Sequence, residues 1–214
     1  VLGHEWFPAD GRATRILDFD VENRPLSYWM ADCPTAEITA IASCWADDPS
    51  SMEVLLLGPK HRGPTTLLLP FMERYEQADI VTGHYIRRHD LPIINGALME
   101  LDLPLLGPKL TIDTKLDMFK KADIPATQEY LLEVLDVRDV YGKPFRKYHM
   151  SQNDWREANR LSPIGLRKTM ERVASDVYAH MALRLEMTRL GMLRPPRVWD
   201  PGSGFSEVTE GRRR

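Results

Sequence analysis

Three acidic side chains, Asp18, Asp20 and Glu22, stand at every second position between Arg15 and Asn23. Alternate side chains of a strand share a face, so these three point one way and Leu17, Phe19 and Val21 the other. Carboxylates in a row on one face repel each other, and a divalent cation offsets that repulsion. The other reading is a strand with one charged, solvent-facing side, as antiparallel sheets often have. A second cluster spans Asp79 to Pro92, where Gly83-His84-Tyr85 follows a short strand and His89-Asp90-Leu91-Pro92 opens a helix. Asp90 suits an N-cap, and capping alone would account for it. The third acid, Asp176, lies one turn after Val173 and beside Val177, at the inward-facing edge of an apolar helical stripe. An acid there needs a partner or a path to solvent.

Taken together, these residues resemble the DEDD 3′→5′ exonuclease superfamily, which includes the proofreading domains of DNA polymerases and RNase T-like enzymes. The first motif of that superfamily, an apolar strand ending Asp-x-Glu, is matched by Asp20-Val21-Glu22. The second, a Gly-His-Asn-like turn a few residues before Phe-Asp-Leu-Pro, is matched by Gly83-His84-Tyr85 and His89-Asp90-Leu91-Pro92. The third, a helical Asp followed by Val, is matched by Asp176-Val177. The resemblance covers roughly residues 15–190. It implies an RNase H-like α/β domain with a mixed five-stranded sheet and helices on both faces. It also implies Asp20, Glu22, Asp90 and Asp176 as metal ligands, with Asp18 one pleat behind them. The expected cofactors are two divalent cations, Mg²⁺ or Mn²⁺, about 3.5–4 Å apart, one activating water and the other steadying the departing 3′ oxygen. The expected products are nucleoside 5′-monophosphates.

One departure concerns the general base. The superfamily places a Tyr four residues before the third-motif Asp, or a His five before it. Here Arg172 and Glu171 hold those positions. A guanidinium cannot accept a proton at neutral pH. His180, one turn after Asp176, and His149, in the stretch Lys147-Tyr148-His149, are the alternative bases. The second motif also departs, with Tyr85 in place of the usual Asn and His89 in place of the usual Phe. The basic, aromatic segment Arg138–Lys147 could hold a single strand by phosphate contacts and base stacking. Arg146, Lys147, Tyr148, Trp155 and Arg172 are the expected nucleic-acid contacts, with His84 and Tyr85 from the second motif. A solvated loop packing its aromatics on the domain is the bland reading of the same segment.

The elements that must position these groups can be read from periodicity. Strands are expected over 15–21, 37–45 and 52–57, an antiparallel meander with a polar turn at Asp47-Asp48-Pro49-Ser50. A helix over 64–77, a short strand at 80–82, a helix over 91–101 and a strand at 109–113 follow. Short helices are expected at 115–121 and 128–136, and a loop over 138–150. Ser151 should cap a helix over 154–160. Ser162-Pro163 should open a long helix to about Arg189, with the stripe Leu166, Met170, Val173, Val177, Met181 and Leu185. Pro195-Pro196 is expected to end regular structure. The domain organisation is then a lead-in (1–14), one catalytic domain (15–194) and a flexible tail (195–214).

Composition sets the bounds. The 214 residues carry 43% hydrophobic and 28% charged side chains, an ordinary globular balance. No apolar run approaches the ~20 residues of a membrane span, and no signal peptide is expected. Cys33 and Cys44 read as two buried thiols rather than a disulfide. The net charge is −3, but residues 140–214 hold 15 Lys+Arg against 8 Asp+Glu, and residues 1–139 hold 13 against 23. An acidic front and a basic back suit a protein that collects cations beside bound phosphates. The segment Gly58–Thr65 has phosphate-loop glycine spacing, but Pro64 stands where the essential Lys belongs. Neither a serine nucleophile elbow nor zinc spacing occurs. The expected partners are 3′ ends of single-stranded DNA or RNA and a DNA polymerase or replication complex, in the cytoplasm and without a membrane. A non-catalytic nucleic-acid-binding replication or repair accessory of the same fold and an RNase H-like endonuclease are the alternatives.

Overall fold

The computed structural model describes residues 11–25, 36–57, 65–119, 124–139 and 141–202. Cys33, most of the Gly58–Thr65 segment and the terminal arginines lie outside them. Strands β1 (Ile16–Pro25), β2 (Ala36–Trp45) and β3 (Asp48–Leu56) form the expected antiparallel meander. The β2–β3 turn is tighter than expected, and β3 already begins at Asp48. Pro49 is tolerated there because β3 is an edge strand. Helix α1 (Thr65–Gln77), strand β4 (Ile80–Gly83), helix α2 (Asp90–Glu100) and strand β5 (Lys109–Asp113) follow. Strands β4 and β5 run parallel to β1. Helices α3 (Gln128–Val134), α4 (Gln152–Asn159) and α5 (Pro163–Arg189) complete the helices among the described residues. Ser151 and Ser162 cap α4 and α5 as expected, each accepting a backbone N–H three residues on.

Two expectations about the elements are corrected. Residues 115–119 form turns rather than a helix, and Met118 bridges to Leu193. Arg197–Trp199 forms a sixth strand, β6, antiparallel to β5. Pro195-Pro196 therefore interrupts regular structure without ending it, and the described sheet has six strands in the order β3-β2-β1-β4-β5-β6, not five. This mixed α/β architecture is consistent with an RNase H-like fold.

The odd-numbered face of β1 buries Leu17, Phe19 and Val21 against α1 and α2, through Leu67, Phe71, Leu91 and Ile94. The opposite face carries the acids and receives α5. Beside Asp18, Asp20 and Glu22, strand β2 presents Cys44, Ala42 and Ala40. These small side chains let α5 lie close, with Val173, Val177 and Met181 upon them. The expected α5 stripe is buried at Val173, Val177 and Met181 but not along its whole length. Met170 (39% exposed) and Leu185 (62%) face solvent, while Asp176, His180 and Arg184 are buried. These three recur every four residues, so they share one helical face, and that face meets the acidic side of β1.

Candidate metal centre

Asp20, Glu22 and Asp176 each bring a carboxylate oxygen within 4.8 Å of the other two. The first two come from β1 and the third from α5, joined across the sheet face. Burial, then Asp90, Asp176 and Glu22, raise the Asp20 carboxyl well above the ordinary carboxylate range. Burial, then Asp176, push Glu22 up to about 7 against the pull of Arg172 and Lys147. Asp176 is also raised by burial, although Lys147 and Arg172 oppose the rise. Its Oδ1 is buried with no hydrogen-bond partner. Converging carboxylates that resist ionisation, one with an orphaned oxygen, fit an oxygen-liganded divalent cation.

Asp90 opens α2 and is 2% exposed. It is not the helix cap, since His89 holds that position and makes no side-chain cap bond. The Asp90 Oδ1 instead accepts the Val21 N–H at 3.1 Å. The β1–β4 pairing runs only as far as Asp18 and Thr82, so Asp90 satisfies a backbone donor beyond the end of that ladder. Its Oδ2 lies 3.4 Å from His89 Nδ1. The group that could hold a metal ion contains Asp20, Glu22 and Asp176, and Asp90 acts on Asp20 and Glu22 as a charged neighbour.

Below the cluster lies a buried polar network. Asp18 takes a two-pronged hydrogen bond from Arg184, at 2.9 and 2.8 Å. Burial raises the Asp18 carboxyl, but His180 and Arg184 outweigh it and hold it below the ordinary range. His180 Nε2 lies 2.9 Å from Thr82 Oγ1 and 3.2 Å from Asp18 Oδ1, and its Nδ1 lies 3.4 Å from Thr114 Oγ1. Both ring nitrogens face this network, and the residue is 2% exposed. His84 spans Thr114 Oγ1 (2.9 Å) and the Ala126 carbonyl (3.0 Å). Burial, then the neighbouring His180, depress its pKa to about 3, so it is neutral.

A part of a DNA polymerase shares this fold. The chain is similar to the family B DNA polymerase from the hyperthermophilic archaeon Pyrobaculum calidifontis, with a TM-score of 0.61 and 16% identity. The match covers 83% of this chain and 25% of the polymerase, so the chain corresponds to about a quarter of that protein. At this identity the likeness is one of fold. No protein-family model and no curated protein matches the sequence.

The expected nucleic-acid contacts fall into three groups. Arg146, Lys147, His149 and Arg172 line a cavity of about 550 Å³ next to the carboxylates, with Phe145 on its wall. Lys147 and Arg172 are also partners of the carboxylates: Lys147 Nζ lies 3.0 Å from Asp176 Oδ2, and Arg172 Nε lies 3.0 Å from the same oxygen. Trp155 is half-buried on α4, and Tyr148 receives Arg172 on its carbonyl at 2.6 Å. Tyr85 has a φ of 74°, and its ring sits 3.9 Å from Lys115 Nζ.

Asp113, at the end of β5, did not emerge from the sequence. It accepts backbone N–H groups from Tyr85, Arg87, Lys115 and Leu116. It thereby shapes the turn that leads to Asp90. Its only sequence signal is an acid closing an apolar strand beside another acid, Asp117, which Arg87 clamps with two hydrogen bonds.

Proposed function

We propose that this chain is a metal-dependent 3′→5′ exonuclease that releases nucleoside 5′-monophosphates, with single-stranded DNA the favoured substrate. The observation that carries this reading is the convergence of Asp20, Glu22 and Asp176, with the orphaned Asp176 Oδ1 among them. The similarity to part of a DNA polymerase accords with it. Asp20, Glu22 and Asp176 would hold Mg²⁺ or Mn²⁺, with Asp90 at the edge of the group. Bound there, divalent ions would polarise the attacking water and stabilise the departing 3′ oxygen.

The chain's own residues have separate tasks. Asp18, Arg184 and His180 fix β1 and α5 in mutual register, so that the carboxylates meet. Arg146 and Lys147 neutralise the phosphates of the strand in the adjacent cavity. Phe145 offers an apolar surface for a base. His149, exposed at that cavity, is better placed than His180 to take a proton from water.

A second reading has one observation in its favour. Arg172 lies against Glu22 and Asp176, where the resemblance places a proton acceptor. A catalytically silent nucleic-acid-binding protein would tolerate that substitution.

Digestion of 5′-labelled single-stranded DNA and its RNA counterpart tests both. With Mg²⁺ or Mn²⁺, the wild type should shorten the strand stepwise from its 3′ end. EDTA, Asp20→Ala or Asp176→Ala should abolish turnover without unfolding the protein. Binding without cleavage would establish the silent reading, and internal cuts would mark an endonuclease.

A further inference from the structure

Arg172 stands four residues before Asp176 on α5, its Nε 3.0 Å from Asp176 Oδ2 and 3.7 Å from Glu22 Oε1. Its Nη1 donates to the Tyr148 carbonyl at 2.6 Å. The Nε is buried, yet no acceptor is aligned with its hydrogen. Buried arginines that pair with one carboxylate often do so through two parallel N–H bonds. Arg184 does this with Asp18, and Arg87 with Asp117. Arg172 instead lies between two carboxylates and forms an aligned pair with neither. Lys147 places a second positive charge on the same Asp176 oxygen.

The charges then decide the capacity of the cluster. Asp20, Glu22, Asp90 and Asp176 supply four negative charges when ionised, and Lys147 and Arg172 supply two positive ones. Glu129, 4.0 Å from Lys147, is exposed and screened by solvent, so the remainder within the buried cluster matches one divalent ion. Lys147 sits on a flexible stem in a loop and can follow a phosphate. Arg172 cannot deprotonate, and its helix and the Tyr148 carbonyl hold it in place.

We propose that Arg172 is a resident counter-cation of the carboxylate cluster, which limits the free protein to one tightly held divalent ion and leaves a second to enter with the substrate phosphate. This inference rests on the metal-centre reading above. The phosphate brings negative charge that the second ion requires, so loading of the complete site is tied to substrate binding. Metal alone then leaves the site half-filled.

The test is a titration of Mn²⁺ into the full chain without nucleic acid, followed by calorimetry and by the electron paramagnetic resonance signal of free Mn²⁺. The wild type should hold one ion. Arg172→Gln should take up a second ion, or hold the first about tenfold or more tightly. Arg172→Lys keeps the charge and should behave as the wild type. Circular dichroism confirms that each variant is folded. Two ions held with similar affinity by the wild type would overturn the inference and leave the metal centre standing, even if Arg172→Gln did not fold. Wild-type binding in a folded Arg172→Gln would also overturn it. A folded wild type that binds no Mn²⁺, or a folded Asp20→Ala variant that binds it undiminished, would overturn the metal-centre reading itself.

Discussion

The two oxygens of Asp176 have unequal lives. Oδ2 meets Lys147 and Arg172, while Oδ1 is buried without a partner. An acid so placed is held by cations on one side and exposed to the repulsion of Glu22 and Asp20 on the other. Glu22 shows the consequence most clearly, because its pKa rises from 4.5 to about 7. The folded protein thus keeps a proton on Glu22 that the unfolded chain has already lost. Its stabilising effect is fully present below 4.5 and fades as pH rises to about 7. A divalent cation on the same carboxylate offsets that loss. The rise in Tm caused by Mn²⁺ over EDTA should therefore be larger at about pH 8 than at about pH 5. Thermal unfolding across that range measures it, and a metal effect independent of pH would remove Glu22 from the ligand set.

Helix α5 sets the spacing of the site. Asp176, His180 and Arg184 share one face, and each meets a group on the sheet: the Glu22 and Asp20 cluster, then Asp18 and Thr82, then Asp18 again. The axial position of the helix is held at its other end by Gly165. A Cβ there would lie 2.2 Å from the Glu157 carbonyl carbon and oxygen, which are backbone atoms of α4. Backbone cannot step aside as a flexible side chain can, so Gly165→Ala must push α5 away from α4. We expect a loss of about 1–3 kcal/mol in chemical denaturation. An unchanged midpoint would mean that the α4–α5 contact yields without cost. The sequence showed this helix and its Ser162 cap clearly. It placed Val173, Val177 and Met181 inward, where they are, but extended the stripe to Met170 and Leu185, because apolar periodicity assumes an apolar partner along its whole length. The face toward β1 is instead lined by acids, so α5 answers with Arg184 and His180, and Met170 and Leu185 turn to solvent.

At the scale of the whole molecule, the fold joins the two halves of an uneven charge distribution. The acidic first part of the chain supplies β1 and the start of α2. The basic last part supplies the loop with Arg146 and Lys147 and the helix with Arg172. The cavity of about 550 Å³ lies where the two meet. Among the described residues no helix is long and apolar enough to cross a membrane. Arg146 is exposed and is not paired with the carboxylate cluster, so it serves as a probe of phosphate binding. Arg146→Ala should weaken single-strand binding about equally for all sequences. It should also reduce the slope of log K against log salt by about 0.7, as expected for one lost phosphate contact. Fluorescence anisotropy at several salt concentrations measures this, and an unchanged slope would place the strand elsewhere.

The sequence by itself determined the order of the acidic motifs, the alternation that puts Asp18, Asp20 and Glu22 on one face, the meander and the capped long helix. These are local properties, carried by period, cap and turn residues close together in the chain. Only the tertiary structure decided which acids meet. Asp90 is separated from Val21 by 69 positions, and whether it caps its helix or satisfies a strand N–H depends on where β4 stops. His180 looked free to act as a base and is instead committed to Asp18, Thr82 and Thr114. Lys147 and Arg172 read as phosphate contacts and lie on Asp176. Arg172 and Asp176 are four apart on one helix, so their pairing is local, but nothing near the other residues in the chain specifies their pairings. They follow from electrostatic compensation among charges that folding brings together in a poorly solvated place.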